Sequence, residues 1–342
     1  MNKYLLYFTI GTCNIIYCSK VDEYGFERPE DFDYKFYEEF MSNYLHVLAR
    51  RSKRWEKLKK NSQYKRSNTL KRFIRKGIPI SHRATAWMIL SGAHSMKLRS
   101  GSTYVELKNK ISNQSIIQMI EIDLPRTFPD NIYFTETSGI PKQLFNILAT
   151  FAHQNTDVGY CQGLNYIAGL LLLVTKDEEA SFWLLKVLVE NILPQYYVKT
   201  MSGLLTDLAV LDELVKVQEP LVHRHIVNVG LPWAVATTKW FICVYSEVLP
   251  TETVLRIWDC LFYEGSKIIF RVALTLIKTH RAQILESKDI GELVTCFKKM
   301  SSSPNVVNCH KFISVSVAAL SKASCLRVDG DLLNCFVPIY WI

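Results

Sequence analysis

Apolar residues recur at three- and four-residue spacing through most of this chain, the period of a helix with one buried face. Phe36, Phe40, Tyr44 and Val47–Leu48 trace such a stripe and predict one amphipathic helix over residues 34–60. Ser81 stands where a side-chain cap would open a short helix carrying Arg83 and Trp87 on neighbouring turns. Further helices are expected over 115–124, 141–154 and 160–175, the last holding the run Leu164-Asn-Tyr-Ile-Ala-Gly-Leu-Leu-Leu-Leu-Val. That run is shorter than the roughly 20 apolar residues a bilayer span needs, so it reads as a buried core helix. Acidic Asp177-Glu178-Glu179 opens the next helix, through Asn191, at the end where the helix dipole favours negative charge. The pattern then predicts helices over 203–218, 220–229, 233–247, 251–263, 266–285, 289–300 and 308–321. No alternating pair of runs joined by an Asn-Gly turn marks a hairpin, and no repeat or low-complexity linker interrupts the chain. An all-α, single multi-helix domain follows.

Composition agrees with this. The chain has 342 residues, 49% apolar and 21% charged, which excludes a disordered protein and supplies a core that needs no metal or disulfide staple. Its nine cysteines are odd in number and scattered, with no C-x-x-C, the usage of reduced and mostly buried thiols in a cytoplasmic protein. Cys161 lies among candidate site residues, where a packing thiol is the default and a nucleophile the alternative. His223-x-His225 is not a helical pair four apart with a carboxylate, so no metal site is expected.

Charge alters the picture in one place. The net charge of +9 is concentrated between Arg50 and Lys76, where thirteen lysines and arginines are opposed only by Glu56. A solvated helix face and loop is the plain reading. Contact with anionic membrane is the second, since each basic side chain near such a surface contributes about 1 kcal/mol. Nucleic acid is the weakest, because no recognition fold or stacking pattern accompanies the charge, and no nucleic-acid partner is expected. At the N-terminus, Leu5-Leu6-Tyr7-Phe8 and Ile15-Ile16-Tyr17 follow Lys3 as in a secretory leader, but Gly11, Thr12 and Asn14 interrupt them. Residues 1–20 are read as an atypical N-terminal segment, with a leader as the alternative.

The candidate chemistry rests on two short segments. Arg126 ends Ile120-Glu-Ile-Asp123-Leu-Pro125-Arg126, and Gln162 sits in Tyr160-Cys-Gln162-Gly163-Leu-Asn165. One offers a planar, permanently charged fork and the other an uncharged amide able to hold a water. Those are the two parts a slow GTPase most often lacks. Neither G-x-x-x-x-G-K-[ST] nor G-x-G-x-x-G occurs, so catalysis would be supplied in trans to a partner's nucleotide. Pro125 cannot continue a helix, which places Arg126 at the end of helix 115–124 or just beyond, in a loop that Phe128 would bury and Pro129 stiffen. Asp123 either orients Arg126 or pins a neighbouring loop, and Tyr160 either shields the site or supports Gln162. Glycines 159 and 163 allow unusual backbone angles and close approach beside Gln162. The plain alternative for Arg126 is a helix-end arginine paired with its own carboxylate. Farther on, Arg256 and Asp259 lie three apart on one helix and can pair, while Trp258 enters the core.

I-x-x-D-x-x-R and Y-x-Q-G resemble the two fingerprints of the TBC domain, the Rab GTPase-activating fold. Gly77-Ile78-Pro79-x-x-x-Arg83-x-x-x-Trp87 resembles its opening. Leu249-Pro250-x-x-Thr253-Val-Leu-Arg256-Ile-Trp258-Asp259-x-Leu-Phe-x-Glu264-Gly265 resembles its third signature. Within the family the chain is most similar to growth hormone-regulated TBC proteins, in 22–58 and 256–278. The resemblance implies an atypical segment 1–20, a helical and basic lead-in 21–74, a TBC domain over 75–320 built of two packed helical subdomains, and an atypical tail 321–342. It also implies activation of a GTP-bound Rab, with Arg126 as arginine finger and Gln162 orienting water. Asp123, Tyr160 and Gly163 would then support the site. Arg83, Trp87, Arg256, Trp258 and Asp259 would be structural, framing the pocket or a partner groove. The chain would need no cofactor of its own, because magnesium and GTP belong to the partner. Vesicle trafficking and a cytoplasmic place peripheral to endomembranes follow from the same resemblance. The alternative is a catalytically inactive TBC-like scaffold or effector that binds a small GTPase or membrane adaptor.

Overall fold

The N-terminal apolar stripe folds as helix α1 (Tyr34–Ser62) in the computed structural model, which describes residues 20–319 apart from Pro29, Asp31, Gln63, Ile111 and Ser112. The helix buries Trp55 and lays Leu58 against the core; Lys53, Arg54, Lys57, Lys59 and Lys60 face outward, while part-buried Arg51 donates to the Tyr44 hydroxyl at 2.6 Å. Next come α2 (Asn68–Lys76) and α3 (Ile80–Leu90), and then α4 (Ala93–Arg99), α5 (Tyr104–Lys108) and α6 (Gln114–Asp123). A first group is completed by α7 (Ile140–Gln154), α8 (Leu164–Thr175) and α9 (Glu178–Val187). In it α9 packs on α4, α7 and α8, α7 also meets α6, and α3 covers α8 and α9.

The second group runs through α10 (Ser202–Gln218), α11 (Pro220–Val229), α12 (Trp233–Ile242), α13 (Thr251–Glu264) and α14 (Lys267–Thr279). It ends with α15 (Arg281–Glu286), α16 (Ile290–Lys299), α17 (Pro304–Val307) and α18 (Cys309–Ala319). Here α13, α14 and α18 pack on one another, and α10 meets α11, α12 and α14. The two groups join where α13, buried from Thr253 to Tyr263, lies against α2 and α3. Among the described residues, strand pairing is limited to the isolated bridges Val21–Glu27 and Phe26–Asn131, and no helix is long and apolar enough to cross a membrane.

Several helix ends depart from the hydrophobic pattern, each for a local reason. Ser81 is not a cap, because α3 already starts at Ile80 behind Pro79, whose ring fixes the entry angle. The helix expected over 160–175 starts only at Leu164, where Gly163 takes a left-handed conformation. The one expected over 233–247 stops at Ile242, since Val244 and Tyr245 turn left-handed and the Val244 carbonyl accepts from Trp258 Nε1 at 3.0 Å. The one expected over 266–285 splits at His280, whose Nδ1 bonds the Leu276 carbonyl at 2.8 Å. Helices α2, α4 and α5 were too short and too polar for the pattern to mark. The atypical segments read at 1–20 and 321–342 lie outside the described residues, save for Ser19's neighbour Lys20.

Candidate functional site

Helix α6 is started by Asn113, whose side-chain oxygen accepts from Ser115 N and Ile116 N at 3.2 and 3.3 Å. It ends at Asp123, and Leu124-Pro125-Arg126 follows as a single tight turn closed by Thr127 N donating to the Leu124 carbonyl. Pro125 thus brings Arg126 out at the helix end, with its side chain half exposed. One guanidinium nitrogen, Nη2, donates to Asp123 Oδ1. Asp123 itself is buried, and its second oxygen accepts from the Tyr160 hydroxyl at 2.5 Å. Burial and that carboxylate push the Tyr160 hydroxyl far above its ordinary pKa, so it remains a donor. Tyr160 therefore serves the carboxylate behind Arg126.

A second line of bonds ties the arginine turn to the glutamine turn. Thr127 Oγ1 donates to the Asp123 carbonyl and accepts from Asn165 Nδ2, both at 2.8 Å. Asn165 Oδ1 accepts from Gly163 N at 3.0 Å, and Tyr166 donates its hydroxyl to the Arg126 carbonyl at 3.2 Å. Thr127 and Asn165 are buried, so these bonds form in a medium where an unmet polar group costs about 1–3 kcal/mol. Gly163 sits at φ +107°, and a Cβ there would lie 3.3 Å from Cys243 Sγ. The chain on either side of Gln162 is fixed in this way, while the Gln162 side chain is exposed and its amide bonds none of the described residues; only its backbone carbonyl accepts, from Cys161 Sγ at 3.5 Å.

The loop beyond Arg126 is held under strain. Phe128, a non-glycine residue at φ +50°, pays about 1–3 kcal/mol for that geometry. Its ring is buried against Phe26, Phe134 and Tyr166. Apolar side chains stay exposed nearby, Met119 and Ile122 on α6 and Tyr133 past the turn. Cys161 is half-buried, and burial followed by the Asp123 charge raises its thiol pKa, away from the reactive thiolate. Among the described residues no group of His, Cys, Asp and Glu could hold a metal ion.

Arg83, Trp87, Arg256, Trp258 and Asp259 form a separate, sealed cluster, so none presents its side chain to a partner. Asp259 Oδ1 accepts from Arg83 Nε at 3.1 Å and Trp87 Nε1 at 2.9 Å, and Oδ2 accepts from Ile78 N at 3.0 Å. The helical spacing pointed to Arg256 as the partner of Asp259. Their closest approach is a 3.6 Å ionic contact, whereas Arg83, from 176 positions away, makes the bonds. Arg256 turns instead to the Arg75 carbonyl at 2.8 Å and to His310 Nδ1 at 2.7 Å. Thr127 and Asn165, which tie the two turns together, carry no signal in the sequence beyond their place in the two motif segments. The contribution of Tyr24 and Phe26 was missed, though the turn chemistry of Asp22-x-x-Gly25 carries a signal for it.

Residues 80–285 match the Rab-GTPase-TBC domain family. Growth hormone-regulated TBC protein 1 of Homo sapiens is 47% identical over 313 residues, covering 89% of this chain and 93% of the relative. The Mus musculus protein of the same name is 48% identical over 86% of this chain and 88% of its own. Among solved structures, the Chlamydomonas flagellar RabGAP TBC domain superposes with a TM-score of 0.74 at 32% identity, over 87% of this chain and 99% of that one.

Proposed function

This chain belongs to the Rab-GTPase-TBC domain family, and from that premise we propose that it accelerates GTP hydrolysis on a GTP-bound Rab by lending Arg126 and Gln162 in trans. One observation carries the reading. Both side chains reach solvent from turns that buried bonds through Asp123, Tyr160, Thr127 and Asn165 lock to each other. A fixed pair of exposed groups on one surface suits a substrate that arrives already bound to another protein.

Phosphoryl transfer spreads charge over the phosphate and leaving oxygens, so a guanidinium stabilises the transition state more than bound GTP. The bond to Asp123 uses one nitrogen of Arg126 and leaves Nε and Nη1 for phosphate oxygens. Asp123 would repel a nucleotide were its charge bare; the Tyr160 hydroxyl and Arg126 both offset it. Gln162, with a free amide, would hold the attacking water. Magnesium and GTP arrive with the partner. Met119, Ile122 and Tyr133 supply apolar contact area beside the arginine.

The scaffold alternative draws on the Arg126–Asp123 ion pair, whose three-residue spacing is that of a helix-end contact. Single-turnover hydrolysis over a panel of Rab proteins separates the two. An activator speeds at least one Rab, and Arg126→Ala and Gln162→Ala abolish the effect in folded protein. If no Rab responds, or both variants keep full activity, the activator reading fails.

A membrane role rests on a different surface. Part of the basic run is used internally: Arg66 donates to the Tyr263 and Leu90 carbonyls, and Arg75 makes two 2.6 Å bonds to Glu264. Lys53, Arg54, Lys57 and Lys60 on the outer face of α1 remain exposed, with no ion pair among the described residues, and Glu56 is turned to His82 at 3.0 Å. We infer that this face lies against anionic membrane near the Rab. Flotation with vesicles containing phosphatidylserine should fall steeply with salt and with Lys53→Glu/Arg54→Glu/Lys57→Glu. Binding that ignores both would remove the inference.

A further inference from the structure

We propose that Tyr24-Gly25-Phe26, which lies ahead of the region matched by the family, is a positioning element for the Arg126 loop. The loop from Thr127 to Phe134 obtains much of its support from this segment. Glu27 N donates to the Asp130 carbonyl at 3.0 Å, Ile132 N to the Gly25 carbonyl at 2.9 Å, and Asn131 Nδ2 to the Tyr24 carbonyl at 3.0 Å. The Phe26 ring stands edge-on to Phe128, centroids 5.1 Å apart. Phe128 in turn meets Tyr166, whose hydroxyl holds the Arg126 carbonyl.

The segment is shaped for this contact before it reaches the loop. Asp22 Oδ1 accepts from Tyr24 N at 2.8 Å and Phe26 N at 2.9 Å, folding the chain into a side-chain-bonded turn. Gly25 sits at φ +92°, and a Cβ there would fall 2.4 Å from Tyr133 Cδ2 and 2.8 Å from Asn131 Oδ1, so a side chain at this position would be strained and would press on the side chains of the loop. At its other side the Tyr24 hydroxyl accepts from Arg83, which is itself bonded to Asp259. The left-handed Phe128 thus has a cover on one face and a tie to the sealed cluster behind it. Phe26 is only partly buried and packs at the edge of the core, so its loss should reach the loop before it reaches the helical interior.

The kinetic arm of the test rests on the activator reading; the exchange arm does not. With a responsive Rab chosen from the panel, full-length Phe26→Ala should lower kcat about tenfold or more while KM for the Rab stays within about twofold. Phe26→Leu should restore most of the rate. Amide hydrogen exchange over 127–134 should quicken about tenfold in Phe26→Ala, with α13 unchanged. A wild-type kcat, or unaltered exchange across the loop, would overturn the proposal. If the unaltered chain activates no Rab, the activator reading falls while exchange still decides whether the segment holds the loop. If Phe26→Ala does not fold, Asp22→Ala, which unfastens the turn that presents Phe26, must show the same kcat-without-KM split and quickened loop exchange, and its failure to do so counts against the proposal equally.

Discussion

Arg83–Asp259 and Arg126–Asp123 are both arginine–aspartate pairs from signature segments of this chain, and in both the carboxylate is buried. The arginines differ. Side-chain exposure is 2% for Arg83 and 50% for Arg126. Arg83 bonds through Nε, Nη1 and Nη2 to Asp259 and Tyr24 and pairs with Glu252 at 3.5 Å, so every nitrogen of its fork is engaged within the protein. Arg126 gives one nitrogen to Asp123 and keeps the rest of its fork toward solvent. Identical chemistry thus serves cohesion in one place and is left available in the other, and the difference is set by how many partners surround the guanidinium. A buried pair broken on one side leaves an uncompensated charge, at a cost of about 3–5 kcal/mol, whereas exposed pairs contribute about 0–1 kcal/mol.

That contrast can be broken by experiment. Arg126→Ala should produce the largest effect, a loss of roughly 10³–10⁵ in Rab-stimulated hydrolysis, with stability altered by about 1 kcal/mol because Tyr160 still donates to Asp123. Single-turnover rates and a urea melt on one sample check both halves. Asp259→Ala should do the opposite, removing about 3–5 kcal/mol of stability by taking the buried carboxylate from Arg83, which keeps only Tyr24 and the half-exposed Glu252, and by unpairing Trp87 Nε1 and Ile78 N, with activity falling only as folded protein is lost. An Asp259→Ala protein with a wild-type melt and no activity would dissolve the distinction.

Tyr160→Phe probes the boundary between the two regions, since it leaves Asp123 Oδ2 short of a donor while sparing Arg126. We expect a loss of about 1–3 kcal/mol in stability together with a roughly tenfold lower kcat, as the carboxylate that orients the arginine is loosened. Unchanged kcat in that variant would confine Asp123 and Tyr160 to folding.

The smallest effect concerns pH. Burial, then the neighbouring charges of Arg256 and Arg51, lower the His310 pKa from its ordinary 6.5 to about 3. The folded imidazole stays neutral and accepts from Arg256 Nη1, while the unfolded one takes up a proton below its ordinary pKa. Stability from this residue is therefore complete above about pH 6.5 and is lost as pH falls toward 3, at up to about 1.4 kcal/mol per pH unit. Between pH 7 and pH 5.5 that amounts to roughly 1 kcal/mol. Melting of His310→Gln across that range should be flatter than wild type; parallel curves would show that His310 does not titrate this way.

Much of this was present in the residues taken in order. The helical period located α1, α7, α10, α11, α13 and α16 to within a few positions, because a buried stripe is a local property of the sequence. Pro125 announced the turn that projects Arg126, again a local constraint. Other boundaries were set from outside the segment. Helix α12 ends where Trp258 takes the Val244 carbonyl, and α8 waits for Gly163 to pass Cys243. The partner of Asp259 could not be had from spacing, because a residue three positions away competes with any arginine the fold brings near, and here the distant one wins. The same holds for Tyr24 and Phe26, whose contact with the Arg126 loop joins positions about a hundred residues apart. Local periodicity located the helices, and the motif resemblance pointed to Arg126 and Gln162 as candidates. Only the packed chain decided which arginine would be sealed in and which left facing solvent, since burial is a property of neighbours that a linear order does not contain.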